Sequence, residues 1–184
     1  MTPGDIEKLL PDILRRAAVP GTPLGALLEV MSDLLAPTEE LLGDLDRWFD
    51  PWRCPAGFLA HLAGWVDLGW ILLPDPRGTL TLAERYPPGE TALRALVAEA
   101  ATLGRMRGTA AGLEAFLVTA TGIDGFVLDD KGLDENGRAL AFFLEVRVPS
   151  EAAPFQGLIE RIVAREKPAY VAHRVVVVPR PETS

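Results

Sequence analysis

The feature that most constrains this chain is an apolar stripe running from Leu24 to Phe49. Leu24, Leu27, Leu28, Met31, Leu34, Leu35, Leu41, Leu42, Leu45 and Phe49 alternate steps of three and four, with Thr38 in the one gap. That spacing places them on one face of a helix in a heptad-like seam, with Glu29, Asp33, Glu39, Glu40 and Asp44 off it. Pro37 falls inside the stripe. Proline has no N–H and crowds the preceding turn, so it predicts either a kink or a second helix with Pro37 in its first turn. The apolar register continues past it, which favours a kink or a near-collinear restart. A face of this kind needs a cover, and two are open: the chain's own core, or helices of other chains.

With 184 residues, 48% of them hydrophobic, the chain has material for one domain or two small ones with a real core. No run approaches the roughly 18 apolar residues of a membrane span. The first residues, Met1 to Pro11, mix acids with Lys8 and do not read as a signal peptide. A single cysteine, Cys54, excludes an internal disulfide and a cysteine-based zinc site, and fits a reducing compartment. The net charge of −8 is uneven: residues 1–50 hold ten acids and four bases, 51–150 twelve and nine, and 151–184 four and five. An acidic N-terminal third argues against nucleic acid or an anionic membrane as its partner.

Residues 1–23 form a lead-in. Ile6, Leu9, Leu10, Ile13 and Leu14 suggest a short amphipathic helix interrupted at Pro11, and Pro20-Gly21-Thr22-Pro23 is a break. After the stripe, Phe49-Asp50-Pro51 closes the helix. Pro55 then opens another, with Phe58, Leu59, Leu62, Trp65 and Val66 on one face and His61 off it. Trp48, Trp52, Trp65 and Trp70 cluster here; aromatics can anchor an interface, but packing in a small helical unit is the stronger reading. Residues 71–90 carry Pro74, Pro76, Gly78, Pro87, Pro88 and Gly89, which forbid a long element, and we read them as a partner-contacting excursion.

Leu93, Leu96, Val97, Ala100 and Leu103 then recur at helical spacing, and Gly108 can end that helix because it reaches positive φ without steric cost. Thr109 can cap the next helix, which presents Leu113, Phe116, Leu117 and Ala120 and stops at Gly122. A glycine-rich loop opening a helix can also hold phosphate. Here no strand precedes it and no Lys-Ser or Lys-Thr follows the glycines, so a structural helix–turn–helix is the better reading.

Beyond Gly122 the period changes. Ile123 to Leu128 reads as a strand, Asn136-Gly137 as a hairpin turn, and Ala139 to Val148 as the return strand. Ser150 can cap a helix carrying Phe155, Leu158, Ile159, Ile162 and Val163, ended by Pro168. Val171 to Val178 is a last strand whose valine run predicts a central position covered on both faces. The fold class is therefore α+β. A long N-terminal helix and helical bundle over 24–122 are followed by a small β-β-α-β unit over 123–178, with a tail over 179–184.

Chemistry is sparse. His61 and His173 lie far apart, and there is no nucleophile elbow, metal-ligand pair or dinucleotide fingerprint. The acids Asp129, Asp130, Asp134 and Glu135 do not have the spacing of a calcium loop and read as a solvated turn. No catalytic, cofactor-binding or metal-binding residue is assigned.

Three segments read together resemble the phage tail protein I family and its relatives in contractile injection systems. They are Phe49-Asp50-Pro51 with Pro55 and Phe58 to Trp65, including Leu62; Arg107-Gly108-Thr109 with Gly112-Leu113 and Thr121-Gly122; and Lys167-Pro168-Ala169 leading into the last strand. Their order covers about residues 40 to 178. His61 departs from the pattern, where an aromatic is expected. The resemblance implies a non-enzymatic baseplate wedge subunit, assembled in the bacterial cytoplasm as part of a phage tail or injection-system particle. It would join the central hub and spike to the sheath-bearing periphery. Its expected partners are other wedge subunits, a second copy of itself, and hub, spike and sheath proteins, with no cofactor, nucleic acid or direct membrane insertion. In such wedges long N-terminal helices form a core bundle, a role that Leu24 to Leu45 would fill. The alternative is a small soluble adaptor or regulatory domain with the stripe buried in its own core.

Overall fold

The computed structural model describes residues 2–130 and 141–179. The Asn136-Gly137 turn signal, the acids Asp134 and Glu135, the first residues of the expected return strand and the last five residues of the tail lie outside the described residues. The chain divides into two compact units, Met1–Phe49 and Asp50–Ser184.

In the first unit, α1 (Pro3–Lys8) and α2 (Asp12–Arg15) are separated at Pro11, whose extended backbone starts α2. The long helix α3 (Pro23–Gly43) begins with Pro23 in its first turn and Thr22 as its cap, the Thr22 hydroxyl accepting from the Gly25 N–H at 3.2 Å. Gly25 has no room for a side chain: a Cβ there would lie 2.6 Å from the Val19 carbonyl oxygen. α3 runs through Pro37 as one helix. The break comes instead at Asp44, after which α4 (Leu45–Phe49) follows. α1 packs on α3, and Ile6 and Leu28 are the buried apolar side chains among this unit's described residues.

The second unit starts with α5 (Ala56–Trp65), a 3-10 turn at Gly69–Ile71 and α6 (Leu82–Arg85). The helices α7 (Glu90–Arg105) and α8 (Ala110–Thr121) pack on each other. Then come β1 (Val127–Asp129), β2 (Phe143–Pro149), a 3-10 segment at Ser150–Phe155, α9 (Gln156–Glu166) and β3 (Ala172–Val178). The sheet order is β1-β2-β3, with β1 antiparallel to β2 and β3 parallel to it; Leu128 faces Val146, and Val146 faces Val175. One core joins Leu59 and Leu62 of α5, Leu93 and Leu96 of α7, Phe116 and Leu117 of α8, Ile159 and Ile162 of α9, and Val146 and Val148 of β2.

Three local expectations need correction. β3 is an edge strand, and its valines are only partly covered. The middle place belongs to β2, because the α9 crossover lays β3 beside it on one side while β1 pairs on the other. β1 starts later than Ile123, because Gly122 and Gly125 both sit at positive φ, 71° and 98°, and hold the chain in turns after α8. Ser150 does not cap α9: the chain first makes a 3-10 segment containing Pro154, and α9 follows from Gln156.

The 71–90 segment is anchored at both ends. Ile71, Leu72 and Tyr86 are buried, and the Leu73 N–H donates to the Arg85 carbonyl at 2.8 Å. The Thr81 hydroxyl accepts from the Glu84 N–H while the Glu84 carboxylate takes the Thr81 N–H, a reciprocal cap on α6. The Tyr86 hydroxyl donates to the Ala120 carbonyl at 2.5 Å, satisfying one of the last carbonyls of α8, which have no partner within the helix. Burial pushes the Tyr86 phenol well above its usual range.

The α7–α8 corner follows from three residues. Gly108 sits at φ 79°, the Thr109 hydroxyl accepts from the Gly112 N–H at 3.0 Å, and the same hydroxyl donates to the Met106 carbonyl at 2.6 Å. Gly112 lies so close to the preceding turn that a Cβ would stand 2.2 Å from the Met106 carbonyl oxygen. We predict that Gly112→Ala destabilises by about 1–3 kcal/mol through overpacking against backbone. Thr109→Ala should cost about 1 kcal/mol through the lost cap. Urea unfolding of the full chain measures both, and a smaller loss at Gly112 than at Thr109 would contradict the close approach.

Candidate functional site

The α3 stripe is built by local rules and left largely uncovered by its own unit. Of the nine positions from Leu24 to Leu45 that carry it, Leu28 is buried and Leu24 half-buried, while Leu27, Met31, Leu34, Leu35, Leu41, Leu42 and Leu45 are exposed. Leu34 reaches 73% exposure and Leu42 60%, values that no core leucine has. From α3 through α4 the charged residues are Glu29, Asp33, Glu39, Glu40, Asp44, Asp46 and Arg47, so the apolar face is framed mainly by acids. Phe49 at its end is also exposed.

The three motif segments behave differently. Phe58 and Trp65 pack edge to face, with ring centroids 5.8 Å apart, and Leu62 is buried; Trp65 itself is largely exposed. Asp50 and Pro51 form a tight turn: the Asp50 carboxylate accepts from the Trp52 N–H at 2.8 Å, and its carbonyl accepts from the Cys54 N–H at 2.9 Å. That turn is held by a residue the motif reading missed. Arg94 of α7 hydrogen-bonds the Pro51 carbonyl and donates to the Cys54 carbonyl at 2.8 Å, with Glu90 completing the clamp at 2.8 Å from its Nε. Its side chain is 13% exposed. The signal was present in the sequence, since Arg94 is a cation beside Leu93 in the apolar part of the helix, well before the basic residue Arg105 at its end, but helical periodicity says nothing about carbonyls forty residues away.

The second and third segments come together. Arg107 Nε lies 3.4 Å from the Glu166 carboxylate, and its Nη2 donates to the Arg165 carbonyl at 3.2 Å. Gly108, Thr109, Glu166, Lys167 and Pro168 line one side of a groove of about 370 Å3 whose other walls include Leu144, Phe142 and Tyr170. Phe142 and Tyr170 pack edge to face at 5.3 Å and are both exposed. Burial raises the Glu166 carboxyl above its usual range, against the pull of Arg107 and Arg165. The corner thus ties the start of α8 to the end of α9 through an ion pair to a buried carboxylate.

His61 is exposed beside Phe58, and His173 lies 3.5 Å from Glu160, so the histidines share no site. Among the described residues no group of three or more His, Cys, Asp or Glu is arranged to hold a metal. No helix of the described residues is long and apolar enough to cross a membrane.

A family model described as Phage tail protein (Tail_P2_I) matches residues 24–170. The match opens on the first residue of the stripe and takes in all three motif segments up to Tyr170, just ahead of β3. A search of curated proteins gave no match.

Two predictions follow from this geometry. Arg94→Ala should destabilise the second unit by about 1.5–3 kcal/mol, because it removes charge-assisted bonds to two carbonyls. Arg94→Lys should recover little, since one ammonium lacks the planar fork that reaches both; full rescue by lysine in chemical denaturation would contradict the clamp. Glu166 binds its proton more tightly in the folded state. Its contribution to stability is therefore greatest in acid and is lost as pH rises from the ordinary glutamate value through its raised one. Glu166→Gln should narrow the stability difference between about pH 4 and about pH 7.5. A widened difference would reverse the assignment.

Proposed function

The chain belongs to the phage tail protein family, and from that membership we propose that it is a non-enzymatic baseplate wedge subunit of a phage tail or tail-like contractile injection system. Family membership assigns a structural role in a tail particle, associated with other tail proteins. The finer reading is that α3 enters a helical core bundle with other wedge subunits, through Leu24, Leu27, Leu28, Met31, Leu34, Leu35, Leu41, Leu42 and Leu45. The second unit then meets neighbouring subunits of the hub-to-sheath connection.

The observation that carries this reading is the exposed stripe. Full burial of a leucine side chain is worth about 1.5–3 kcal/mol. A partner that covers the seven exposed stripe positions would therefore gain on the order of 10 kcal/mol before ordering costs. A soluble adaptor with the stripe in its own core lacks that core: the first unit buries Ile6 and Leu28 among its described residues. The second unit, by contrast, has a core of its own and can keep its shape while its surface contacts change. A sheath-bearing particle that switches between two states needs such a bistable contact more than a reactive group.

The test is a double variant, Leu34→Asp with Leu41→Asp, in a reconstituted tail assembly. Two carboxylates buried in a helical seam cost several kcal/mol if unpaired. Incorporation into particles should fail while near-ultraviolet circular dichroism of the second unit's Trp and Tyr stays native. Particles that assemble normally with the double variant would rule out the bundle.

A further inference from the structure

We propose that a pocket between the Gly69–Pro74 segment and α9 is a docking site for a carboxylate side chain of a partner protein, gripped by Arg85 and Arg161. The pocket, about 380 Å3, is lined by Gly69, Trp70, Leu72, Leu73, Pro74 and the two arginines. This site stands whether or not the stripe is an assembly interface.

Both arginines are fixed by backbone and left without a counter-ion. Arg85 Nε donates to the Leu73 carbonyl at 3.1 Å, and Arg161 Nη2 donates to the Ile71 carbonyl at 3.2 Å. The two guanidinium groups are thus docked two residues apart on the same stretch of chain, and both are half-buried. Among the described residues neither forms an ion pair. The acid that senses Arg85 is Asp75, and it is already engaged: its carboxylate accepts the Thr79 N–H at 3.1 Å and the Leu80 N–H at 3.0 Å. Asp67 pairs with Arg165 at 3.2 Å, and Arg165 also stands over the Trp70 ring at 5.1 Å. A chain of net charge −8 therefore places a concentration of positive charge at one concave site.

Two guanidinium groups brought to one pocket repel each other, and their free N–H donors need acceptors. An anion answers both needs, because each planar fork matches a carboxylate or phosphate. The walls decide between these. Trp70, Leu72, Leu73 and Pro74 offer apolar surface that the methylenes of a glutamate would cover and a free phosphate would not. Trp70 is rigid, stacked on Phe116 with centroids 6.1 Å apart, and the segment is pinned at Leu73 by Arg85, so the pocket is formed before anything enters it.

The experiment titrates the isotopically labelled full chain with three probes at matched ionic strength: a capped tetrapeptide carrying two glutamates, its twin carrying two glutamines, and inorganic phosphate. Readouts are the Trp70 indole N–H and the Arg85 and Arg161 Nε–H resonances. The glutamate peptide should shift all three saturably, the glutamine peptide should not, and phosphate should bind more weakly than the glutamate peptide. Arg161→Gln should weaken the peptide by at least roughly tenfold, as for a lost hydrogen bond to a charged group, and Arg161→Lys should restore part of the loss. Absent or unsaturable shifts, equal binding of the glutamine twin, or tighter binding of phosphate would each overturn the proposal. The wild-type comparison of the three probes decides it even if Arg161→Gln does not fold.

Discussion

An apolar helix face in water is the constraint on which this molecule turns. In folded proteins most of a helix's stability comes from packing one face rather than from local propensity. α3 has the cap, the proline in its first turn and the register to form, yet it buries Leu28 and leaves most of its leucines outside. Its acids frame the seam without covering it. The proposed bundle would cover this surface with another chain, and membership of a phage tail protein family supplies a setting in which other tail proteins are present.

The second unit solves the opposite problem. Among the described residues its sheet has three strands and most of its helices are short, so no single element stabilises the rest. Directional contacts close the gaps that packing leaves. Arg94 gathers the turn after Asp50, Tyr86 satisfies the end of α8, and Arg107 holds the corner against α9 through Glu166. Each of these joins segments far apart in sequence and each ends on a backbone carbonyl or a carboxylate. The unit is therefore held at its corners, which leaves its surface loops free to carry recognition without unsettling the core.

What the sequence made legible was whatever depends on spacing along one helix or on the conformational demands of one residue. The stripe, the break at Gly108, the Thr109 cap and the stop at Gly122 were all visible in that way, as was the α+β order of elements. What it hid depends on which segments meet. The valine run of β3 read as a two-sided strand because periodicity records composition, whereas its edge position is set by the crossover through α9. The 71–90 segment read as a partner-contacting excursion because its prolines and glycines forbid a long element. Nothing local announced that Tyr86 would reach Ala120, or that Arg85 and Arg161 would dock on carbonyls of the same stretch. Pro37 left a kink or a restart open, and α3 runs through it as one helix that ends before Asp44.

The central claim is that the first unit is completed by a partner while the second is complete alone. Amide hydrogen exchange on the full chain, diluted until monomeric and then within assembled particles, tests it most directly. The account predicts fast exchange across Pro23–Gly43 in the monomer, slow exchange across Glu90–Arg105 and Ala110–Thr121 in both states, and strong protection of Pro23–Gly43 only in the particle. Protection of Pro23–Gly43 in the monomer equal to that of the two core helices would contradict it.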